Sequence, residues 1–145
     1  MARFVDSVPV PWSPEDAFSY MADLRNFAEW DPATRHVEQV HGDGPGADAR
    51  YDVTVNVGPR TTTLRYEVVD WEPPRRLVIE ASNAVMHSHD EIVIDRIEVE
   101  SLITYDARLT LRGPLKVFDR WVDRRFRTMG ERAAAGLRER VRRAR

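Results

Sequence analysis

The stretch ITYDARLTLRGPLKVFDRWVDRRFRTMGERAAAGLRERV, residues 103–141, carries two hydrophobic periods back to back. In its first part Ile103, Tyr105, Ala107, Leu109 and Leu111 alternate with Thr104, Asp106, Arg108 and Thr110. That period of two belongs to a half-buried strand. Gly113-Pro114 ends the run. From about Leu115 to about Val141 the period becomes helical: Phe118, Val122, Phe126, Met129, Ala133, Leu137 and Val141 follow at steps of three and four, one continuous apolar stripe. A helix of that length spans roughly 40 Å at 1.5 Å per residue. No other segment predicts a helix long enough to cover a sheet, so the stripe is expected to pack across one. Gly130 and Gly136 lower its helix propensity and suit a kink or a close backbone approach.

The sheet that such a helix needs lies upstream. Strand patterns run from His36 to His41, Tyr51 to Val57, Thr61 to Trp71, Leu77 to Ala81 and Met86 to Ile97. Gly42-Asp43-Gly44-Pro45-Gly46, Gly58-Pro59 and Pro73-Pro74 separate some of them, and links this short imply antiparallel neighbours. A further strand from Ala2 to Val10 ends at Pro9 and Pro11, which suits a sheet edge. Ser13-Pro14-Glu15-Asp16 then starts a helix: Ser13 caps it, Pro14 suits its first position, and the two acids favour its positive end. Ala17, Phe18, Met21 and Leu24 give that helix an apolar face, and Asn26 to Trp30 reads as a second short helix stopped by Asp31-Pro32. The expected fold is α+β: seven antiparallel strands and a long C-terminal helix, with two short helices after the first strand. No repeat or linker divides the chain, so residues 1–145 are expected to form one domain.

Composition narrows the function. At 145 residues, with 42% hydrophobic and 32% charged residues, the chain is a globular protein large enough for a sizeable core. It has no cysteine, which excludes disulfides, thiol catalysis and thiolate metal sites. No apolar run approaches a membrane span, and the early charges of Arg3 and Asp6 do not suit a signal peptide, so cytoplasm is the expected compartment. Net charge is −2, unevenly spread: Arg112 to Arg145 carry 12 basic against 4 acidic residues, the first 111 residues 10 against 20. With no overall basic footprint, nucleic-acid binding is not expected. The absence of a Walker loop and of G-x-G-x-x-G leaves phosphoryl transfer and nucleotide-cofactor chemistry without support, and no cofactor is expected.

The order of elements, together with Val10-Pro11-Trp12-Ser13-Pro14-Glu15-Asp16-Ala17-Phe18, Asn26-Phe27-Ala28-Glu29-Trp30-Asp31-Pro32, Trp71-Glu72-Pro73-Pro74-Arg75-Arg76-Leu77, His89-Asp90-Glu91-Ile92, Leu111-Arg112-Gly113-Pro114-Leu115 and Arg132-Ala133-Ala134-Ala135-Gly136-Leu137, resembles the SRPBCC superfamily. This superfamily is START-like, with a helix-grip fold, and the chain is most similar to its bacterial polyketide cyclase/dehydrase family over its whole length. The resemblance implies a curved sheet around the long helix. It also implies a site for a lipid, polyketide or other hydrophobic molecule, with activity left open because members include both carriers and enzymes. The family's last hairpin carries a Gly-rich turn; Asp95 to Ser101 has no glycine, which leaves the turn position and register open.

If sheet and helix do not meet flush, an apolar cleft remains between them. Strand parity assigns it Tyr51, Val53, Val55, Leu64, Tyr66 and Val68, then Ile92, Ile94, Tyr105 and Ala107. The helix adds Phe118, Val122, Phe126 and Met129, and the resemblance places Trp30 at an entrance. The same stripe also describes a filled core. Asp90 shares the parity of Ile92 and Ile94 and should point inward, where a carboxyl in an apolar cleft becomes a proton donor or acceptor near neutral pH. His87, His89 and Glu91 take the opposite parity and should face solvent; no metal is expected there. His36 suits the cleft mouth or the plain surface.

Three functions follow as expectations. The first is binding of a small hydrophobic or aromatic, polyketide- or lipid-like molecule in the cleft. The second is a polyketide cyclase, aromatase or dehydratase, with Asp90 and Tyr66 moving protons. The third is an interaction protein using the Arg-rich face of the C-terminal helix. Ligand identity and oligomeric state stay open on the sequence.

Overall fold

A computed structural model describes residues 2–57, 59–113 and 119–143. Strand β1 (Ala2–Val10) is followed by helix α1 (Pro14–Ala22), a 3-10 turn (Leu24–Asn26) and helix α2 (Phe27–Trp30). Strands β2 (Thr34–His41), β3 (Arg50–Val57), β4 (Arg60–Glu72), β5 (Arg76–Ser82), β6 (Met86–Ile97) and β7 (Glu100–Leu111) then precede helix α3 (Asp119–Arg143). The long helix predicted from about Leu115 is described from Asp119 onward.

Local chemistry explains the entry to the helices. The Ser13 hydroxyl accepts from the Asp16 amide at 3.1 Å, with Pro14 next to it, so one free amide of the first turn of α1 finds a partner. Asp23 caps the following 3-10 turn through the Arg25 amide.

The seven strands form one antiparallel sheet in the order β1-β7-β6-β5-β4-β3-β2. Strands β2 to β7 make a meander, and β1 closes it by pairing with β7. The sheet is curved and open with α3 packed on it, which is the helix-grip fold. The hairpin between β6 and β7 turns at Glu98-Val99, with Ile97 paired to Glu100. No glycine is there, and Glu98 takes φ 58° itself. An L-residue in this left-handed region carries strain of about 1–2 kcal/mol.

Register fixes which side chains share the inner face. Across β3, β4, β5 and β6, Tyr51 pairs with Tyr66, Tyr66 with Ala81, and Ala81 with Ser88. A second row joins Val68, Ile79, Asp90, Ala107 and Phe4. A third joins Trp71, Leu77, Ile92 and Tyr105. The core gathers inner residues such as Val53, Ile79, Ile92 and Ile103 with Phe18, Met21, Phe27 and Trp30 of the short helices and Leu137 and Val141 of α3.

Helix α3 runs chiefly along β1, with shorter contact to β7 and α2. Its two glycines are points of close approach. A Cβ on Gly130 would overlap the Phe4 ring, and one on Gly136 would overlap the Trp30 carbonyl oxygen. The C-terminal half of α3 is the better buried: Ala134, Leu137 and Val141 are buried, whereas Val122, Phe126 and Met129 are half-buried. No helix among the described residues is long and apolar enough to cross a membrane.

Candidate functional site

The site is a polar island in the apolar inner face. Asp90 is 3% exposed, and it sits between Ile79 and Ala107 in its row. Tyr105 Oη donates to Asp90 Oδ2 at 2.8 Å, and Ser88 Oγ to Asp90 Oδ1 at 3.3 Å. Tyr66 Oη donates in turn to Ser88 Oγ at 3.2 Å. Three strands thus bring four side chains into one hydrogen-bonded chain: Tyr66 from β4, Ser88 and Asp90 from β6, Tyr105 from β7. Its strand neighbours are mixed in size: Ala81 and Leu109 stand opposite Ser88, Ile79 and Ala107 opposite Asp90.

Burial dominates the electrostatics. Removal from water pushes the Asp90 carboxyl up to about 7, although the bonds from Tyr105 and Ser88 favour the charged form. The Tyr66 and Tyr105 phenols are pushed far above the usual phenol range, first by burial and then by the negative charge of Asp90. Neither phenol ionises near neutral pH; within the hydrogen-bonded island, Asp90 is the group that changes charge there.

The wall over the island is aromatic. The Trp30 and Tyr105 ring centroids lie 6.1 Å apart, edge to face, and Phe27 packs on both rings. Trp30 is 5% exposed, and its Nε1 has no hydrogen-bond partner among the described residues. A buried donor left unmatched costs about 1–3 kcal/mol. Tyr51 is the second such case: 1% exposed, with its hydroxyl unmatched, and pushed up to about 12 by burial.

Of the sequence-assigned lining, Val53, Leu64, Ile92, Ile94 and Ala107 are buried, and Val55, Tyr66, Val68 and Tyr105 keep partial exposure. Val122, Phe126 and Met129 are half-buried on the stripe of α3, and Phe118 lies outside the described residues. Two surface depressions of about 100 and 150 Å³ include Val68 and Ala81 of the inner-face rows in their linings, and neither touches α3. The first is bounded by His41, Asp48, Arg50 and Glu67, the second by Arg65, Glu67, Glu80 and His87.

His87 and His89 take the outward parity expected of them, and His36 is exposed on β2. Sequence reading missed their partner: Glu80 Oε2 lies 2.5 Å from His89 Nδ1 and 3.9 Å from His87 Nε2. Glu91 is taken instead by Arg76, at 2.7 Å. No group of three metal-ligating side chains is placed to hold an ion among the described residues. Ser88 was also missed, although it shares the parity of Asp90 two residues on. Asp31 had been read only as a helix stop. Its carboxylate accepts from the Ala33 amide at 2.9 Å and Thr34 Oγ1 at 3.0 Å, its charge acts on both phenols, and burial raises it.

Many arginines of α3 are held within the molecule. Arg138 reaches Asp6 Oδ2 at 3.1 Å and the Ser7 carbonyl at 3.2 Å, and Arg140 reaches Glu29 at 3.0 Å. Arg127 faces Asp123, Arg142 and Arg143 face Glu139, and Arg125 lies over the Trp121 ring.

Solved structures similar to this chain share its fold. A protein of Thermus thermophilus superposes with a TM-score of 0.80 at 16% identity, covering 98% of both chains. The Zhui aromatase/cyclase from a Streptomyces species gives 0.77 at 15% identity, over 99% of this chain and 95% of that one. A START superfamily protein from Mycobacterium smegmatis gives 0.75 at 14% identity over the whole of both chains. No curated protein matches the sequence. The family model for polyketide cyclase / dehydrase and lipid transport matches residues 1–142. With nearly every residue inside that match and the helix-grip sheet beneath it, the chain belongs to the polyketide cyclase/dehydrase and lipid transport family.

Proposed function

We propose that the protein binds a small hydrophobic or aromatic molecule, polyketide- or lipid-like, between the inner face of the sheet and α3. The observation that carries this reading is the polar island of Tyr66, Ser88, Asp90 and Tyr105, set in an apolar face beside the unmatched Trp30 donor. A core built only for packing places aliphatic side chains at such positions, because buried polar groups are costly unless matched. Ala107 stands opposite Asp90 on one side, where a larger side chain would fill space. Apolar burial at roughly 25 cal/mol per Å² supplies the affinity, and the few polar groups orient the ligand.

Native mass spectrometry of freshly purified protein, with tryptophan-quenching titration of an aromatic hydrophobe, tests this. A co-purified small molecule or saturable binding is expected, and Ala107→Leu should abolish either. Absence of both in the wild-type protein would overturn the reading.

A second reading is favoured by one feature. Asp90 stands near pH 7 in direct contact with a phenol, which suits a group that gives and takes protons in an aldol cyclisation or dehydration. The relationship to an aromatase/cyclase supports this. Asp90→Asn should then abolish turnover of a poly-carbonyl substrate while sparing its binding; unchanged rates remove Asp90 from the chemistry.

A further inference from the structure

The hydrogen-bonded chain has a direction, and that direction selects the ligand. An ionised carboxylate has no proton to give, so with Asp90 charged both of its contacts must be donors. Tyr105 therefore spends its one proton on Asp90 Oδ2, and Ser88 spends its own on Oδ1. Ser88 has then only lone pairs left for Tyr66, so Tyr66 must donate to it. Every hydroxyl proton of the island points toward Asp90. What Tyr66 and Tyr105 retain is acceptor capacity on the two phenol oxygens. Both residues belong to the inner face, and both are half-buried.

We propose that the floor formed by Tyr66 and Tyr105 recognises a hydrogen-bond donor on the ligand, a phenolic or enolic hydroxyl. It does not recognise a bare carbonyl. This inference rests on the proposed binding site and adds the sense of its polarity. A ketone facing this floor sets its oxygen against two oxygens whose protons are committed elsewhere. A hydroxyl facing it donates to either phenol oxygen without disturbing the chain. The unmatched Trp30 Nε1 has the opposite capacity, since an indole N–H only donates. A ligand bearing both a hydroxyl and a carbonyl on one aromatic frame suits the two sets together, with the hydroxyl toward the tyrosines and the carbonyl toward Trp30.

The test uses three naphthalenes of one shape: 2-naphthol, which donates, 2-methylnaphthalene, which neither donates nor accepts, and 2-acetonaphthone, which only accepts. Each is titrated by tryptophan quenching against the whole protein at pH 8, where Asp90 is charged. The wild-type protein should bind 2-naphthol about tenfold more tightly than 2-methylnaphthalene, the usual gain from one added hydrogen bond. 2-Acetonaphthone gains only what the Trp30 N–H supplies, independently of the two phenol oxygens. In the double variant Tyr66→Phe, Tyr105→Phe the ratio of 2-naphthol to 2-methylnaphthalene affinity should fall to about one, whatever the absolute affinities. Equal affinities of the wild-type protein for 2-naphthol and 2-methylnaphthalene, or a 2-naphthol preference that survives the double variant, would overturn the donor preference and leave the binding site standing. Binding of none of the three would overturn both.

Discussion

Replacing Asp90 by Asn separates the electrostatic cost of the island from its shape. The side chain keeps its size: the amide oxygen still accepts from Tyr105, and the amide nitrogen donates to Ser88. Only the charge is lost. The folded carboxyl stands at about 7 against an ordinary value of 3.8, so the folded chain binds its proton more tightly than the unfolded chain. Stability from this group therefore falls as pH rises from about 4 to about 7, and the full cost stands above that window. Three pH units of difference correspond to about 4 kcal/mol, an order-of-magnitude figure. About half accrues below pH 5.5 and about 2 kcal/mol between pH 5.5 and 8.5. The assay is urea unfolding of both proteins at the two pH values, with the wild-type free energy subtracted from that of Asp90→Asn. Groups that do not act on Asp90 cancel, while the charge of His89, which favours the ionised carboxylate, stays with the Asp90 contribution. Asp23, Asp52 and Asp106, each held below the ordinary range first by a hydrogen bond from arginine, act at lower pH. The variant should gain about 2 kcal/mol relative to wild type on going from pH 5.5 to 8.5. A gap that is the same at both values would show that Asp90 is solvated or paired in the folded protein, and the polar island would lose its physical basis.

Gly136→Ala should cost about 3 kcal/mol or more in urea unfolding, because its methyl group meets the Trp30 carbonyl, backbone that does not yield cheaply. Gly130→Ala should cost less, about 1–2 kcal/mol, since the Phe4 ring can shift. A larger loss at Gly130 than at Gly136 would contradict the packing. Tyr51→Phe should be neutral or stabilising by up to about 1 kcal/mol, whereas Tyr105→Phe should destabilise by about 1–2 kcal/mol, because only the second hydroxyl has a partner to lose. Glu98→Gly should stabilise the fold by a few tenths to about 1 kcal/mol, read as a higher thermal midpoint, as the left-handed turn position is relieved; a lower midpoint would count against strain there.

Where burial on one face is strict, the pattern was readable. β6 shows the inner face as an uninterrupted period of two from Ser88 to Ile94, so the inward direction of Asp90 follows from Ile92 and Ile94 alone. The same parity contained Ser88, but a lone serine in a strand carries no signal of its partner. The reach of Glu80 to His89 depends on which residues of β5 and β6 lie opposite one another, and hairpin length sets that. The turn at Glu98-Val99 escaped because the strands pair right up to Ile97 and Glu100, which forces a non-glycine residue into the position glycine usually takes. The placement of α3 over β1 escaped for a different reason. The apolar stripe gives the face of the helix but not its line across the sheet. Gly130 against Phe4 and Gly136 against Trp30 set that line, and a glycine in a helix does not name what approaches it.

Those contacts tie the two parts of the proposal together. The Trp30 carbonyl is held against Gly136, so the backbone that carries the indole is fixed by the best-packed part of α3. The indole in turn leans on Tyr105, whose hydroxyl is fixed by Asp90. The polar island is thus positioned by strands on one side and by a helix-anchored tryptophan on the other, while the helix loosens toward Met129, Phe126 and Val122. A binding site needs that combination: fixed polar groups for orientation, and a less tightly packed side through which a ligand enters. A sealed core would instead bury the stripe evenly along its length. In the proposed binding reading, the half-buried N-terminal half of α3 is the side for ligand entry, and the strongest constraint on ligand shape falls near Trp30 and Tyr105.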